Sequence, residues 1–397
     1  MVTHDAVKDR PPPLRTDGSN AFARHSMLVR VPRIARDVVQ RERFAPRIQA
    51  AIEELARDIE HDRPLPAPRP PRPDLEAWTA IHAEHPSDES WLAAPWFHAE
   101  HVFYRELARA CRFWETGQDP FEGAKEQELS DDRPWTRLAE GTSLRGPRDE
   151  RLLHLLLASL WGNRVDLSYA VAAGHGEPGR ADLLVDERAL ALPWLLRAGA
   201  DVHIVTDNTG TELVLDLALV DAILEDASTR VTVHLKMQPV FVSDATARDL
   251  WRAIERMSER GGDAGALASR LRAAFDDERL RLAPDPFWSG SRFLWDAPPH
   301  VARLLDGATL VLVKGDANYR RVVGDALWPP NVPLAEVADY LRSPLLCLRT
   351  MKSDPVVGLP TGLGESLDAT EPQWRIDGRR GVAQVASPQH ARTPRPS

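Results

Sequence analysis

Apolar residues recur at helical spacing through the first half of the chain. Between residues 21 and 59 they fall at Ile34, Val38, Ile48, Ile52, Leu55 and Ile59. The segments 91–115 and 150–173 show the same patterning, and a proline-rich break, DRPLPAPRPPRP, follows the first of the three. A period near 3.6 residues is typical of helices that bury one face, and proline clusters interrupt them. The pattern predicts a helical N-terminal domain over residues 20–190.

The pattern changes after residue 195 to short β-branched runs separated by helical stretches. The runs are VHIVTDN, VTVHLK leading to PVFVSDAT, ATLVLVKGDANYR and SPLLCLRTMKSD. Strands that alternate with helices are typical of a mainly parallel sheet covered by helices on both faces. The predicted fold class is therefore α/β, with the helical N-terminal domain packed on a three-layer α/β/α core at residues 191–385.

The amino-acid composition indicates a globular protein but does not indicate a particular reaction. Hydrophobic residues make up 43% and charged residues 27% of the 397, which is ordinary for a globular protein. Residues 1–19 and 386–397 are rich in proline, serine or arginine and are predicted to be disordered tails. The N-terminus lacks the apolar core of a signal peptide, and Cys111 and Cys347 form no ligand-like pair, so we expect a reducing cytoplasm and no disulfide.

Charge and hydropathy also exclude some partners. No apolar run approaches the roughly 20 residues that a membrane-spanning helix needs. The net charge is -9 and the 50 lysine and arginine residues are dispersed, so neither a membrane nor a nucleic acid is an expected partner. No obligate protein partner is implied. Any anion that the protein binds must be held by a local group of cations.

Polar clusters follow each apolar run of the second half. They are Asp207 and Asn208; Ser243 and Asp244; Lys314, Gly315, Asp316 and Asn318; and Arg349, Thr350 and Lys352. In open α/β sheets the ligand crevice lies beyond the carboxyl ends of the strands, so these clusters should converge there. An isolated Asp after a strand is most often a helix cap, but four strand ends agree here.

The converging residue types indicate a metal and a phosphate. Asp207, Asn208 and Asp244 offer only oxygen ligands, which suits Mg²⁺ or Mn²⁺ better than a zinc thiolate site. Four cations, Lys314, Arg320, Arg349 and Lys352, stand at the same strand ends. A metal with that many cations predicts a phosphorylated ligand.

Five segments carry a resemblance to a known family: LWGNRVDLS, DNTGTELVLDLALVDAIL, HLKMQPVFVSDAT, LVKGDANYRRVVGD and PLLCLRTMKSDPVVGL. In this order they resemble the motifs of the metal-dependent damage-control phosphatases, in particular the Arg-Thr-x-Lys subgroup. Members of that subgroup are also described as acidic-residue (protein-glutamate) O-methyltransferases. The resemblance extends from about Phe22 to Trp374 and includes DPFEGAKEQEL and PDPFWSG.

The resemblance implies hydrolysis of small phosphometabolites such as sugar phosphates, with Mn²⁺, Mg²⁺, Co²⁺ or Ni²⁺ as cofactor. It implies that Asp207, Asn208 and Asp244 hold the metal. Catalytic roles are expected for Asp207, Asp244 and Lys352. With the cations above and two polar residues of the WGNRVDLS segment, the expected substrate-binding set is Asn163, Asp166, Glu212, Lys314, Asp316, Asn318, Arg320, Arg349 and Lys352.

Other motifs are interpreted as structural. The sequence GHGEPG at 174–179 fits a dinucleotide-binding pattern but follows a helical segment and carries Pro178, so a loop is predicted. The pairs His82 with His85 and His98 with His101 have helical spacing, and a partly solvated face is favoured over a metal site. The run DNTGT also resembles an aspartyl-phosphate loop, but Thr209 stands where such loops carry a second acid.

Two enzymatic functions and one binding function follow from these observations. The favoured hypothesis is a metal-dependent phosphatase in which either water or Asp207 attacks the phosphorus. The alternative is an S-adenosylmethionine-dependent carboxyl methyltransferase, although the turn after Val205 lacks the glycine-rich form suited to that cofactor. A non-catalytic phosphometabolite-binding protein would use the same pocket.

Overall fold

A computed structural model describes residues 10–70, 72–162 and 182–388. The first half is helical, as the apolar spacing predicts. Its helices are α1 (Ala21–His25), α2 (Val31–Arg41), α3 (Pro46–Glu60), α4 (Leu75–His82), α5 (Trp96–Ala110), α6 (Phe113–Thr116), α7 (Glu122–Ser130), α8 (Arg133–Ser143) and α9 (Arg148–Gly162), with a π-helical turn at Ser26–Arg30.

Strands and helices alternate in the second half. The strands are β1 (Leu183–Asp186), β2 (Asp201–Val205), β3 (Arg230–Leu235), β4 (Leu280–Pro284), β5 (Leu310–Lys314), β6 (Leu345–Thr350) and β7 (Gly381–Ala386). The helices are α10 (Arg188–Leu195), α11 (Thr211–Ile223), α12 (Ala247–Arg260), α13 (Gly262–Asp276), α14 (Pro299–Asp306), α15 (Asp316–Val323), α16 (Leu334–Val337) and α17 (Leu363–Thr370), with 3₁₀ turns at Pro286–Ser289 and Leu294–Asp296.

The seven strands form one sheet in the order β1-β7-β6-β5-β2-β3-β4. Every neighbouring pair is parallel except β6 and β7, which run antiparallel. The mainly parallel α/β sheet that the sequence predicts is therefore confirmed. Because β2, β3, β5 and β6 are parallel and adjacent, their carboxyl ends meet at one edge.

Both faces of the sheet are buried, as a parallel sheet requires. Leu310 and Leu312 of β5 pack into a core that includes residues of α9 to α13. Val311 and Val313, which alternate with them, pack on the opposite side with residues of α14 to α17. A third core holds α2, α3 and α5 together with the segment 240–242. The helical region, formed by α1 to α9, therefore packs directly on the loop that precedes Asp244.

Three boundaries differ from the sequence predictions. The segment PVFVS is a turn and not a strand, because Phe241 and Val242 adopt positive φ values of 48° and 69°. Strand β1 lies before the predicted domain boundary at residue 190 but pairs with β7 in the sheet. Residues 10–19 are not a loose tail, since Leu14 and Thr16 are buried and bond to the main chain of Trp96 and Ala94.

No helix in the described part of the chain is long and apolar enough to cross a membrane.

Candidate metal and phosphate site

The two segments that carry the predicted metal ligands are joined through their backbones. Asp207 and Asn208 follow β2, and Asn208 forms an isolated antiparallel bridge with Asp244. The amide of Ala245 donates to the carbonyl of Asp207 at 2.7 Å, and the amide of Thr209 donates to the carbonyl of Ser243 at 2.7 Å. These bonds place the side chains of both segments at the same strand end.

Asn208 is the centre of a buried hydrogen-bond network. Its Nδ2 donates to Asp207 Oδ2 at 3.1 Å and to Glu212 Oε2 at 2.9 Å. Its Oδ1 accepts from Ser243 Oγ at 2.6 Å. A carbonyl oxygen has two lone pairs, so Oδ1 keeps one acceptor position besides the bond from Ser243. The amide orientation is assigned by these partners.

Two glycines let the strand ends approach each other. Gly315 follows β5 with φ +82°, and a β-carbon there would lie 1.9 Å from Asp207 Oδ2. Gly210 precedes α11 with φ +67°. Only glycine adopts such backbones without strain, and only glycine leaves room for the Asp207 carboxylate. The sequence signal for this packing is the glycine that follows the apolar run of β5 directly and the one that follows Asp207, Asn208 and Thr209 after β2.

The turn before Asp244 is held in shape by the helical region. Non-glycine residues rarely adopt positive φ, and a β-branched residue such as Val242 is a clear outlier. Phe241 packs its ring on Tyr104 at 5.1 Å between centroids and on His101 at 5.0 Å. Backbone strain of this kind persists only where surrounding packing fixes it, and it clusters at functional sites.

Negative charge accumulates around Asp207. Burial raises the pKa of its carboxyl well above the usual value, and the neighbouring carboxylates of Glu212 and Asp244 raise it further. Lys236 and Lys352 act in the opposite direction. Buried like charges of this kind favour a bound cation.

The donor set fits a hard divalent ion. Asp207, Asn208 and Asp244 can supply oxygen ligands alone, which hard divalent ions prefer. The Asp207 carboxylate lies directly over the Gly315 backbone. In the described ranges no three carboxylate, imidazole or thiol side chains are grouped like a metal centre. The set thus consists of two carboxylates and an amide.

Lys236 is a site residue that the sequence analysis did not select. It lies one residue beyond β3, is 2% exposed, and places Nζ 3.2 Å from Asp244 Oδ2. The same Nζ donates to Asn318 Oδ1 at 2.9 Å. Its position directly after an apolar run was the available signal, since Lys314 occupies the equivalent end of β5.

Lys314 is at the predicted strand end but is enclosed by carboxylates. Its Nζ donates to Glu212 Oε1 and Asp216 Oδ1, both at 2.7 Å, and to the carbonyl of Ser159 at 3.0 Å. Burial alone would lower the pKa of Lys314, but Asp216 and Glu212 outweigh it and raise the pKa. Lys314 therefore balances buried charge and supports Glu212.

Arg320 is likewise saturated by protein groups. Its guanidinium bonds to Asp325 Oδ1 at 2.7 Å and to Glu100 Oε2 at 2.8 Å, and it stacks 3.7 Å from the centre of the Trp96 ring. Glu100 belongs to α5, so this pair ties the helical region to α15.

Arg349 and Asp316 bond to each other. Arg349 Nε donates to Asp316 Oδ1 at 2.7 Å, and other guanidinium nitrogens donate to Ser353 and to the carbonyl of Pro355. Asp316 also accepts from the amide of Lys352 at 3.1 Å. Burial acts to raise the pKa of Asp316, but Arg349 and Arg320 outweigh it, and the pKa is lowered.

Lys352 and Asn318 complete the set that the structure brings together. Lys352 is 2% exposed and close enough to Asp207 to oppose the rise of its pKa. Asn318 donates to the carbonyls of Thr206 and Lys314 at 2.8 and 2.9 Å. Asn163, Asp166 and the 174–179 motif lie outside the described residues.

The pair His82 and His85 is partly exposed, whereas the pair His98 and His101 differs from the predicted partly solvated face. His98 and His101 are 4% and 0% exposed, because α5 is buried almost all round. His98 stacks on His85 with 3.9 Å between ring centroids, and His101 Nδ1 lies 2.7 Å from the carbonyl of Phe97. His98 and His101 are therefore core residues of the helical region.

Comparisons with known proteins agree with this architecture. Relatives named damage-control phosphatase ARMT1 include one from Xenopus laevis, 30% identical over 75% of this chain and 76% of its own length. The relative from Danio rerio is 28% identical with 85% of each chain covered, and that from Homo sapiens is 27% identical with 96% and 95% covered.

A solved structure supports the fold. The crystal structure of a DUF89 family protein from Pyrococcus horikoshii matches with a TM-score of 0.50 at 15% identity, covering 92% of this chain and 98% of that one. The model of one family, described as the damage-control phosphatase ARMT1-like domain, matches residues 25–367. The chain belongs to this family of damage-control phosphatases.

Proposed function

We propose that the protein is a divalent-metal-dependent phosphomonoesterase that acts on small phosphorylated metabolites such as sugar phosphates. The observation that carries the proposal is the crowding of Asp207 and Asp244 at one strand end, with Asn208 between them and buried lysines beside them. A metal and a phosphoryl group would together complete the charge balance of such a site.

In this proposal Asp207, Asn208 and Asp244 hold the metal, for which Mn²⁺ is one candidate. The bound ion would supply Lewis-acid polarisation of phosphoryl oxygens. Lys352 binds the phosphoryl group of the substrate, and its ammonium offsets charge that develops during transfer. Lys236 orients the Asp244 carboxylate, and Asn208 is held by Ser243 and Glu212.

The paired cations have a supporting role in the same proposal. Arg349 fixes Asp316 and the turn that carries Lys352, and Lys314 fixes Glu212. Both side chains act on the substrate through their neighbours. We also place the activity in the cytoplasm, where the buried thiols of Cys111 and Cys347 would remain reduced.

The test is phosphate release from a panel of phosphorylated metabolites with Mn²⁺, Mg²⁺, Co²⁺ or Ni²⁺, and with a chelator in place of metal. We expect release from at least one ester, loss with the chelator, and loss in Asp207→Asn, which keeps size but removes charge. A parallel assay measures methyl transfer from S-adenosylmethionine to protein carboxylates. Methyl transfer without phosphate release from any ester would overturn the proposal in favour of the methyltransferase.

A further inference from the structure

Helix α7 of the helical region reaches both ligand-bearing segments of the site. Lys125 and Glu128 are three residues apart on this helix and therefore project from the same face. Lys125 contacts the segment that contains Asp244, and Glu128 contacts the start of α11, just after Asp207 and Asn208. The same helix thus contacts two loops that follow different strands.

Lys125 is a buried lysine with three oxygen partners. It is 1% exposed, and its Nζ donates to Asp119 Oδ2 and Asp249 Oδ2, both at 2.9 Å. Its third bond, at 3.2 Å, goes to the main-chain carbonyl of Asp244. Asp249 also closes the capping box of α12 with Thr246. Lys125 therefore fixes the backbone of Asp244 from behind and ties it to the first turn of α12.

Glu128 fixes the other segment. Its Oε1 accepts from both the amide and the hydroxyl of Thr211 at 2.8 Å. A β-carbon on Gly210 would lie 2.2 Å from this carboxylate, so the carboxylate rests directly over the Gly210 backbone. A negative group at the N-terminus of a helix is stabilised by the unpaired amides there. The bond holds the turn that follows Asn208.

We infer that α7 is a two-point clamp, formed by Lys125 and Glu128, that sets the spacing of the Asp207–Asn208 segment and Asp244. This inference rests on the proposed function, because it concerns the affinity of that site for its metal. Lys125 and Glu128 are positioning residues: they touch the backbone of the ligand segments and not the metal or the substrate. Groups hydrogen-bonded to ligand side chains typically change metal affinity by about 10-fold to 100-fold when they are removed, and we expect the lower end of this range for groups that hold the ligand segments by their backbone.

The test measures Mn²⁺ binding directly by titration calorimetry on the full chain. Lys125→Met alone would leave Asp119 and Asp249 as buried unpaired charges, so it is combined with Asp119→Asn and Asp249→Asn, which leave no charged side chain among the three. Glu128→Ala is made separately as the milder change. We expect each variant to weaken Mn²⁺ binding by about tenfold or more, with circular dichroism like that of the wild type.

The matched control is Glu126→Ala on the same helix. Glu126 pairs with Arg252 and Arg256 of α12 across the same interface but contacts neither ligand segment. Its removal should leave Mn²⁺ affinity unchanged. If the triple variant does not fold, the test rests on Glu128→Ala, which should weaken Mn²⁺ binding by the same factor.

Three outcomes overturn the inference, and they can be distinguished from one another. Folded clamp variants that bind Mn²⁺ as tightly as the wild type contradict the clamp alone. A wild-type protein that binds none of the four divalent ions removes the proposed metal site and the clamp with it. Equal weakening in Glu126→Ala would also count against the clamp, because it would reduce the effect to general loosening of the interface.

Discussion

The buried cations at the strand ends fall into two groups with different surroundings. Lys314, Arg320 and Arg349 each lie within 2.6 to 2.8 Å of a carboxylate. Lys236 and Lys352 instead lie beside the crowded pair Asp207 and Asp244, where the pKa of Asp207 is still raised. The first group is held in short ion pairs inside the fold, whereas the two lysines of the second group do not keep the pKa of Asp207 at its usual value. The first group should therefore govern stability, and the second should govern ligand binding.

The largest effect on ligand binding is expected at Asp244. Asp244→Ala removes one of two carboxylate ligands, and we expect metal binding to weaken on the order of a hundredfold or more, above the range for outer residues. The melting temperature without metal should also fall, because Lys236 loses the buried carboxylate that pairs with it at 3.2 Å, so metal binding is compared at a temperature where both proteins are folded. Metal content and melting temperature are measured together. Asp277→Ala, an exposed acid, is the control, and full metal occupancy in Asp244→Ala would contradict the ligand role.

Breaking the ion pairs of the first group should lower the stability of the folded protein. Lys314→Met leaves Glu212 and Asp216 buried without their cation, which typically costs about 3 to 5 kcal/mol in free energy of unfolding. Adding Asp216→Asn should recover part of the loss, because one buried charge disappears. Urea unfolding of both variants gives the two free energies. A Lys314→Met protein as stable as the wild type would place Lys314 in the ligand-binding group instead.

The buried histidines His98 and His234 differ from both groups of cations, because they carry no charge at neutral pH. Burial lowers the pKa of His98 and of His234 to about 3 from the usual 6.5. Between those values the unfolded chain binds a proton that the folded protein does not, so stability falls as pH decreases below about 6.5. Each histidine should remove about 2 kcal/mol between pH 7.5 and 5.

Urea unfolding at the two pH values measures this loss. His98→Gln should reduce it by about 2 kcal/mol, and His300→Gln, at an exposed position, should not. An unchanged loss in His98→Gln would show that His98 is protonated in the folded protein.

The smallest of the four effects is expected at Lys352. It tests whether the second group of cations acts in catalysis. Lys352→Ala should lower phosphate release from the best substrate by at least about tenfold, or about 1.4 kcal/mol, with metal still bound. Lys352→Arg should recover part of the rate, because the charge returns in a different geometry. The control is Arg342→Ala, an exposed cation. Normal hydrolysis by Lys352→Ala would contradict its role.

The sequence predicts the parallel strands and the meeting of their ends, because apolar runs and the polar residues after them are local signals. It does not predict which cations are held in ion pairs, since their carboxylate partners come from far along the chain. Glu100 and Arg320 are 220 residues apart, and Lys125 and Asp244 are 119 apart. The sequence does not predict strands β1 and β7 for a similar reason, because LLVD and GVAQVA are short and pair over a long separation.

The place of β7 in the sheet has a consequence for synthesis on the ribosome. Leu183 of β1 pairs with Gly381 of β7, and β1 has no other neighbour in the sheet. At typical elongation rates the ribosome needs on the order of 10 to 40 s to translate the chain between these strands. During that interval β1 lacks its partner, and once β6 has been translated its edge stays open until β7 covers it. The nascent chain therefore presents two open strand edges, a substrate for chaperones, until its last strand emerges.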